Sequence, residues 1–434
     1  MPSATPARPA LLGGAPLRTT PFPKHTTMMG DEEKRLVLDV IDDGELSGFS
    51  GRVGDRFLGG RMVKALEAEV CKYFGTAFAI SFNSATSALH AMVAAAGIGP
   101  GDEVITSPFS MAASASAVLM HNAVPVFADI DPATYCLDVA SVERAITPRT
   151  RAIMAVNLYG HPAALDRLRA LADARGLFLF EDNAQSAGAT LAGKLTGTWG
   201  HAAALSLNYH KAIQCGEGGL VITDDPTLAL HCQLIRNHGE VVLGDLPDAD
   251  VPSHLGWNYR LSEVNAAVAV AQMAKLDPLI AIRRRLAERL TALLSGINGV
   301  TPAVPAPGCT HSYYLYPIQL DPERLGLSRA TIVKALAAEG FPVNAGYVKP
   351  IYWLPMYQRK AAYPKQCPFT CGHYTGDVSY AKGLCPVTED LHMRTLIIVD
   401  ICKYPNTMAD VEQFAEAFGR VLGHREALRA AGHV

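Results

Sequence analysis

The sequence lacks any apolar run near the roughly 20 residues that a helix needs to cross a bilayer. The richest candidate, VNAAVAVAQMA from Val264, is short and is interrupted by Asn and Gln. The opening residues, MPSATPARPALLGG, contain no continuous apolar stretch of the kind that defines a secretory signal. We therefore expect no membrane span, no signal peptide and no membrane among the partners of this chain.

The sequence also lacks an excess of charge of either sign. It has 38 Lys and Arg against 41 Asp and Glu, a formal net charge of −3. This balance gives no electrostatic reason to expect nucleic acid or an anionic membrane as a partner. A hydrophobic fraction of 49% is typical of a well-buried globular protein. Because 434 residues are too many for one core, we expect two or three domains.

The cysteines give no sign of a disulfide framework or of a metal site. There are nine, an odd number scattered through the chain, which predicts reduced thiols and a cytoplasmic protein. Cys367, Cys371 and His373 lie close together, but their spacing, Cys-x3-Cys-x-His, lacks the second ligand pair of a usual zinc site. We predict a loop with ordinary thiols and no metal, with zinc binding as the alternative.

Apolar runs alternate with helical patterns through the first half of the chain. Strands about 20 to 28 residues apart with helices between them predict βαβ units and a mostly parallel sheet covered on both faces. The strand candidates are residues 77–81, 103–107, 123–130, 151–159, 177–182, 202–208 and 219–225. The expected fold class is therefore α/β, with one large seven-stranded sheet.

Shifts in composition divide the chain into three parts. Residues 1–30 are rich in Pro, Thr and Gly and predict an extended N-terminal arm. Residues 31–275 form the predicted large domain, and residues 276–434 form a smaller C-terminal α/β domain. A long helical pattern crosses the boundary, and Pro278 should end one helix there and begin another.

Candidate binding groups follow the strands at their carboxyl ends, where ligands sit in open α/β sheets. After the first strand, FNSATSAL opens a helix with Asn83 and Ser84 as possible N-caps. Such a helix start suits a phosphate, and a plain capped helix is the alternative. The strand LFLFED ends in Asp182, and a buried carboxylate needs a cationic partner such as a protonated pyridine nitrogen.

A single lysine follows a later strand in SLNYHKAIQCGEGG, residues 206–219. A desolvated lysine amine can stay nucleophilic and form a Schiff base, so Lys211 is the candidate catalytic residue. The glycines behind it would let the chain turn back and approach a ligand closely. A helix start that suits a phosphate, an acid for a ring nitrogen and an amine for an aldehyde together match the needs of one cofactor, pyridoxal 5'-phosphate.

Several further motifs accompany this constellation: NSATSAL, GDEVITSPFS, AVPVFADIDP, EDNAQSAGA, RNHGE and GWNYRLSEVNAAVAVAQ. Together they resemble the DegT/DnrJ/EryC1/StrS family of sugar aminotransferases, which are fold-type-I pyridoxal-phosphate enzymes. The resemblance runs from about residue 45 to the C-terminus. It implies a pyridoxal-phosphate-dependent transaminase with the fold-type-I architecture.

The resemblance also implies roles for individual residues. Lys211 would hold the cofactor as a Schiff base and then shuttle the proton, and Asp182 would pair with the pyridinium nitrogen. Gln185 would lie against the cofactor ring or its phenolic oxygen. Asn258 would reach a phosphate in the neighbouring subunit, which implies a homodimer with shared active sites.

The phosphate cup and the ring-stacking position are also assigned by the resemblance. Ala85 and Thr86 would offer backbone and hydroxyl groups to the phosphate, and Ser206 would add another hydroxyl. Ala85 stands where the family usually has Gly, and Met111 stands where it usually has an aromatic residue on the ring. A thioether can pack on a π face, so we expect binding to survive.

Other residues have two open interpretations. His210, His161, Tyr347 and Tyr313 either line the substrate cavity or serve the structure alone. Arg236 and His238 in RNHGE are expected to organise loops.

The expected reaction is amino transfer from glutamate or glutamine to the ketone of a sugar. A nucleotide-activated keto-sugar is the first expectation. A free keto-cyclitol is the alternative, because ALLGGAPLRTTPFP is similar to the arm of relatives that aminate inososes or make aminohydroxybenzoate. A sugar 3-dehydratase is disfavoured, since those relatives replace the lysine with histidine. A non-catalytic regulator that binds the cofactor is the rival of another class, but it would normally carry a DNA-binding segment, which is not seen.

Overall fold

The computed structural model describes residues 7–23, 28–246 and 255–432. Its main sheet contains all seven predicted strands, which confirms the expected α/β class. Their spatial order is β1-β9-β8-β5-β4-β2-β3. The strands are β1 (Phe78–Phe82), β2 (Glu103–Thr106), β3 (Val124–Phe127), β4 (Thr150–Val156), β5 (Phe178–Asp182), β8 (Ala202–Ser206) and β9 (Gly219–Thr223). A short hairpin, β6 (Thr190–Leu191) and β7 (Lys194–Leu195), lies between β5 and β8.

The main sheet is parallel except for one strand. β9 runs antiparallel to both of its neighbours, β1 and β8, whereas β2, β3, β4, β5 and β8 pair in parallel. Nearly every residue of these strands is buried, because helices cover both faces. The carboxyl ends of β5 and β8 therefore open at the same edge of the sheet.

The helices of the first 300 residues follow the predicted alternation. The break near Pro278 is confirmed: α8 ends at Met273, and Pro278 lies in the first turn of α9, where a missing N–H is tolerated. The helices are α1 (Asp31–Asp43), α2 (Arg61–Phe74), α3 (Ala85–Ala95), α4 (Ala113–Met120), α5 (Val139–Ala145), α6 (Leu165–Arg175), α7 (Pro226–Arg236), α8 (Glu263–Met273) and α9 (Leu276–Leu294). Apolar side chains of α3 and α7 pack against β1, β8 and β9.

A second, antiparallel sheet follows α9, in the order β10-β11-β13-β12. Its strands are β10 (Val300–Pro302), β11 (Tyr316–Leu320), β12 (Asn344–Ala345) and β13 (Leu396–Val399). Helices α10 (Pro322–Leu325), α11 (Arg329–Ala338), α12 (Pro355–Gln358), α13 (Pro386–Asp390), α14 (Met408–Gly423) and α15 (Arg425–Ala430) complete this region. Helix α9 joins the two regions: Leu279 packs in the core beneath the main sheet and Leu290 in the core of the second sheet.

The described part of the N-terminal arm packs on this second region. Leu11, Leu17 and Phe22 contact its apolar core. The backbone N–H groups of Ala10 and Leu17 donate to the carboxylate of Glu339 at 2.8 and 3.1 Å. The arm is thus held by hydrogen bonds and apolar contacts. The division at residues 30 and 275 into arm, large domain and small domain stays a prediction.

Among the described residues, no single helix is long and apolar enough to cross a membrane. Helices α8 and α9 pass that test only as a pair, bent by 56° at their junction, and only by length and composition.

Candidate active site

The first element of the site is the start of α3. Ser84 is its N-cap, and the Ser84 Oγ accepts a hydrogen bond of 3.1 Å from the Ser87 backbone N–H. The other N–H groups of the first turn have no partner within a helix and carry the positive end of its dipole. Gly219 at the start of β9 lies so close that an added Cβ would stand 2.4 Å from the Ala85 nitrogen. Only glycine fits there, so the helix start and the strand form one narrow cradle.

The second element is the carboxylate of Asp182, the last residue of β5. The side chain is buried, with 5% of the residue exposed. It accepts hydrogen bonds from the Ser114 hydroxyl at 2.6 Å and from the Ala184 backbone N–H at 3.2 Å. Burial raises the pKa of Asp182, while the bonds from Ser114 and Ala184 and the charge of Lys211 oppose that rise. A cationic atom of a ligand would therefore stabilise the charged form of this carboxylate.

The third element is Lys211, in the turn after β8. Its backbone N–H donates to the Asn208 carbonyl at 2.9 Å, which closes the turn. The amine lies 4.3 Å from the centroid of the Tyr314 ring. Burial lowers the pKa of Lys211 from 10.5 to about 8; the Arg283 charge acts in the same direction, and Asp182 acts against it. A lysine with this pKa has a substantial neutral, nucleophilic fraction near neutral pH.

Gln185 connects the main sheet region to the second region. Its Oε1 accepts from the Tyr159 backbone N–H at 2.9 Å, and its Nε2 donates to the Tyr347 hydroxyl at 3.1 Å. Burial raises the pKa of Tyr347 to about 12, so the hydroxyl stays protonated. Tyr347 follows β12, so the cavity wall includes residues from both regions.

These elements line one cavity of about 200 Å³. It brings together every predicted cofactor-binding residue except Asn258. The predicted residues on its wall are Ala85, Thr86, Met111, Asp182, Gln185, Ser206 and Lys211. Met111 is 63% exposed, so it stands at the rim. Asn258 is exposed and pairs with Asn237 in an isolated β-bridge away from this wall.

Comparison with known proteins identifies the family of this chain. The sequence model of the DegT/DnrJ/EryC1/StrS aminotransferase family matches residues 52–397. The chain belongs to that family.

Curated relatives of this aminotransferase match three quarters or more of its length. It is 35% identical to an L-glutamine:2-deoxy-scyllo-inosose aminotransferase of Streptoalloteichus tenebrarius, over 98% of this chain and 100% of the relative. It is 36% identical to the Streptomyces kanamyceticus protein of that name, over 98% and 99% of the two chains. An L-glutamine:scyllo-inosose aminotransferase of Streptomyces griseus is 39% identical over 77% and 80%.

Solved structures agree with this assignment. DesI, crystallised in the presence of its TDP-sugar product, superposes with a TM-score of 0.80 at 26% identity, covering 98% of this chain and 99% of DesI. The 3-amino-5-hydroxybenzoic acid synthase superposes with a TM-score of 0.76 at 28% identity, covering 93% and 100%. The predicted family, its fold-type-I architecture and aminotransferase activity are thereby confirmed. The family depends on pyridoxal phosphate.

The residues of this aminotransferase fit the cofactor of its family. The Asn208 Oδ1 at the cavity wall is buried and has no hydrogen-bond partner within the described ranges, so it can take a donor from a ligand. Asp182 offers a buried negative charge, Lys211 offers an amine, and the start of α3 offers N–H groups in the cradle beside Gly219. These are an acid, a nucleophile and an anion cup within one cavity.

The sequence patterns did not single out Ser114 beside Asp182 or Tyr314 on the cavity wall. Ser114, the donor to Asp182, lies in the first turn of α4 just after SPFSMA, and its position in a helix gives no sign of this contact. Tyr314, rather than its neighbour Tyr313, lines the cavity, and Tyr313 packs in the core of the second region. The two adjacent tyrosines could not be separated by pattern, because Tyr313 adopts an unusual φ of +48°.

The remaining candidates divide between cavity and scaffold. His210 lines the cavity, and burial together with the Lys211 charge lowers its pKa to about 4. His161 is buried elsewhere: its Nε2 accepts from the Ala306 backbone N–H at 3.0 Å. Arg236 is fully buried and pairs with Glu67 at 2.6 Å, in keeping with a structural role.

All nine cysteines are free thiols. The Cys371 Sγ donates to the Pro368 carbonyl at 3.1 Å. Within residues 7–23, 28–246 and 255–432, no group of three or more His, Cys, Asp or Glu side chains is arranged to hold a metal ion.

Proposed function

We propose that this aminotransferase transfers the amino group of L-glutamine to the ketone of a free cyclitol of the inosose type. The observation that carries the proposal is the 35 to 36% identity, over 98% of the chain, with L-glutamine:2-deoxy-scyllo-inosose aminotransferases. The matched length includes most of the N-terminal arm, which was the segment that first favoured a cyclitol. A cyclitol carries only hydroxyl groups and a ketone, and the cavity wall offers hydroxyl, amide and phenol groups to hold them.

The residues that would hold pyridoxal phosphate follow from the donor set. The start of α3 with Ala85 and Thr86, joined by Ser206, would hold the phosphate. Asp182 would face the ring nitrogen, Gln185 would lie against the ring, and Met111 would cover it at the rim. Lys211 would bind the aldehyde carbon. Bound there, pyridoxal phosphate supplies an electron-withdrawing ring that stabilises negative charge on the carbon that loses a proton.

Lys211 then serves as acid and base. A general acid–base group works best when its pKa lies near the working pH, and the amine at about 8 meets that condition. The hydrogen bonds from Ser114 and Ala184 favour the charged form of Asp182 and oppose the rise in its pKa that burial causes. Tyr314, whose ring centroid lies 4.3 Å from the amine, and Tyr347 both line the cavity and would limit access of water.

Asn258 is proposed to act in a homodimer. It is exposed in its own chain and lies outside the cavity wall, so it is free to reach the phosphate in the site of a second copy. We expect Asn258→Ala to weaken cofactor binding without changing the absorbance of the band at saturation, and sedimentation of the wild type to give a dimer. A monomer with full activity would contradict this part of the proposal.

A nucleotide-activated keto-sugar is the second candidate substrate. It is favoured by the superposition on DesI, which binds a TDP-sugar product, over 98% of this chain. The two candidates differ in size and charge, because only the nucleotide substrate carries phosphates.

The half-reactions test the proposal directly. Protein loaded with pyridoxal phosphate is mixed with L-glutamine or L-glutamate, and the visible cofactor band is followed. We expect glutamine to abolish the band, and 2-deoxy-scyllo-inosose or scyllo-inosose to restore it. Restoration by TDP-linked keto-sugars alone would select the second candidate. No loss of the band with any donor would favour a regulator without turnover.

Covalent mapping tests the attachment site separately. Borohydride reduction of the loaded protein followed by peptide mapping should tag Lys211. Lys211→Ala should lose the tag, while Lys194→Ala, which removes an exposed lysine, should keep it. A tag on another lysine would overturn the assignment.

A further inference from the structure

Arg283 is a buried arginine whose hydrogen bonds end on the backbone beside the cavity. The residue is 2% exposed and lies on α9, outside the cavity wall. Its Nη1 donates to the carbonyl oxygens of Tyr313 and Tyr314, at 2.9 and 3.1 Å. A buried guanidinium is costly unless its donors are satisfied, and here the acceptors are neutral. Neither bond neutralises the positive charge, and the charge of Asp400 acts to stabilise it.

The segment that Arg283 binds has an unusual conformation. Tyr313 has a φ of +48°, in the left-handed region that bulky residues rarely adopt. This turn directs Tyr313 into the core of the second region, where it stacks on His311 with ring centroids 4.0 Å apart. The next side chain, Tyr314, lies on the cavity wall. Strained backbone of this kind persists only where the surroundings determine it, and it concentrates at functional sites.

The main sheet region holds the same segment from the other side. The Ser312 backbone N–H donates to the Gly160 carbonyl at 2.9 Å, and the Ser312 hydroxyl donates to the Gln185 carbonyl at 3.2 Å. Gly160 has a φ of +99°, and an added Cβ would stand 2.4 Å from the Ser312 Oγ. The segment is thus clamped between Gly160 and Arg283, with the Tyr314 ring beside Lys211.

We propose that Arg283 is a positioning residue that fixes the Tyr314 ring against the amine of Lys211. The ring covers one side of the amine and excludes water from it. The proposal rests on the role given to Lys211 under the proposed function. It adds that Arg283 and Tyr314 together keep the pKa of the Lys211 amine low. Arg283 acts on Lys211 in two ways: directly, as a like charge, and through the ring that it holds in place.

The charges around the amine agree with this role. Burial is the largest cause of the low pKa of Lys211, and Arg283 lowers it further while Asp182 raises it. The aromatic face alone would favour the charged amine, so the proposal requires that exclusion of water by the ring outweighs that attraction. The titratable groups around the amine are Asp182 from β5, Arg283 from α9, Tyr314 and Tyr347 from the second region, and His210 and Glu217 from its own turn.

The test measures the amine without any substrate. Full-length protein freed of cofactor is labelled with trace acetic anhydride between pH 6 and pH 11, and the Lys211 peptide is quantified by mass spectrometry. The pH dependence of labelling gives the pKa of the amine. Arg283→Met and Tyr314→Ala should each raise that pKa by about one pH unit, in line with typical effects of charge and burial. Tyr314→Phe, which keeps the ring, should leave it unchanged.

A double-variant cycle separates positioning from charge. If Arg283 acts partly through Tyr314, the double variant Arg283→Met/Tyr314→Ala should raise the pKa by clearly less than the sum of the two single effects. If the two pKa changes add strictly, Arg283 acts on Lys211 only through its charge and not through Tyr314, which would overturn the proposal. So would an unchanged pKa in Arg283→Met. Arg289→Met, which removes an exposed arginine from the same helix, is the matched control and should match the wild type.

A folding failure does not block the test. Circular dichroism and the thermal midpoint identify a variant that does not fold. If Arg283→Met fails, the comparison of Tyr314→Ala with Tyr314→Phe still decides whether the ring lowers the pKa, and Arg283→Lys replaces the failed variant in the cycle. Because labelling needs neither donor nor ketone, a wrong substrate under the proposed function leaves this result intact.

Discussion

The Ser114 hydroxyl donates a 2.6 Å hydrogen bond to the Oδ2 of Asp182. This bond joins the first turn of α4 to the carboxyl end of β5, inside the protein where a lone carboxylate would tend to take up a proton. Burial raises the pKa of Asp182, and the bond from Ser114 is the largest effect opposing that rise. The negative charge in the site therefore depends on a serine that is distant in the sequence.

Ser114→Ala should make the acid easier to protonate. The pKa of Asp182 rises further, so the acidic limb of the pH–rate profile should move to higher pH. We expect about a tenfold loss of kcat/KM on the acidic limb, from the typical 1.5–3 kcal/mol of a hydrogen bond to a charged group, and a smaller loss at higher pH. Ser116→Ala, on the same helix, is the control. An unmoved acidic limb would show that Ser114 does not support the charge.

Lys211→Met should stabilise the cofactor-free protein at neutral pH. The pKa of Lys211 is about 8 when folded and 10.5 ordinarily. Between these values the unfolded chain binds more protons, so the stability of the wild type rises with pH across this window. Below pH 8 the buried ammonium is fully destabilising, and removing it should raise the thermal midpoint.

The gain from Lys211→Met should shrink as the pH rises from 8 towards 10.5, because the wild-type amine becomes neutral in both states. Thermal unfolding at pH 7 and pH 9.5 measures the difference. Lys72→Met, which removes a lysine with an 80% exposed side chain, should show no such trend. A gain of equal size at both pH values would contradict the assigned burial of the amine.

Gly219→Ala should damage the phosphate cradle. The new Cβ would stand 2.4 Å from the Ala85 nitrogen and 2.6 Å from the Ser84 carbonyl carbon, both of them backbone atoms. The start of α3 must then move, and we expect pyridoxal phosphate to bind at least about tenfold more weakly, a loss of about 1.4 kcal/mol. Titration of the visible band gives the dissociation constant.

Gly419→Ala is the matched control for the glycine substitution. Gly419 lies within α14, and an added Cβ there meets nothing within 4 Å. It should bind the cofactor normally and gain up to about 1 kcal/mol of stability from helix propensity. Equal cofactor affinity in both variants would show that Gly219 does not shape the phosphate site.

Arg420→Met should loosen the N-terminal arm. Arg420 pairs with Glu339 at 3.1 Å, with side-chain exposures of 8% and 0%, and its Nη1 also donates to the Ala15 carbonyl. Removing one partner of a buried pair leaves an uncompensated charge, so we expect a loss of about 3 kcal/mol in the free energy of unfolding. Urea denaturation measures this loss, and limited proteolysis should cut first in the arm.

The exposed pair of Arg289 and Glu412 provides the comparison. Its side chains are 43% and 48% exposed, and Arg289→Met should cost less than about 1 kcal/mol. Similar losses for the two arginine variants would show that burial does not set the strength of the arm contact.

The strands of the main sheet could be predicted because each is a short apolar run bounded by polar or turn residues. Their direction could not be predicted in every case. The connection from Ser206 to Gly219 contains no helix, and without a helical crossover the chain returns antiparallel, which makes β9 the exception. The small strand β12 has only two residues, too few for a period to be recognised.

Within the site, the local patterns predicted the groups that follow a strand directly, such as Asp182 after β5 and Lys211 after β8. The contacts of those groups could not be predicted. Ser114 lies 68 positions from Asp182 in the sequence, and Tyr314 lies beside Lys211 next to a left-handed turn at Tyr313. Neither relationship leaves a periodic signal in the sequence.

The sequence by itself determined which chemical groups this protein carries and at which ends of strands they stand, because strands, helix starts and turns follow from residues that are neighbours in the chain. Only the tertiary structure decided how those groups behave. The pKa of Lys211 near 8 depends on burial and on the charges of Asp182 and Arg283, and the Tyr314 ring lies 4.3 Å from the amine. These residues come from separate elements, and removal of water is a property of their packing together rather than of any one segment.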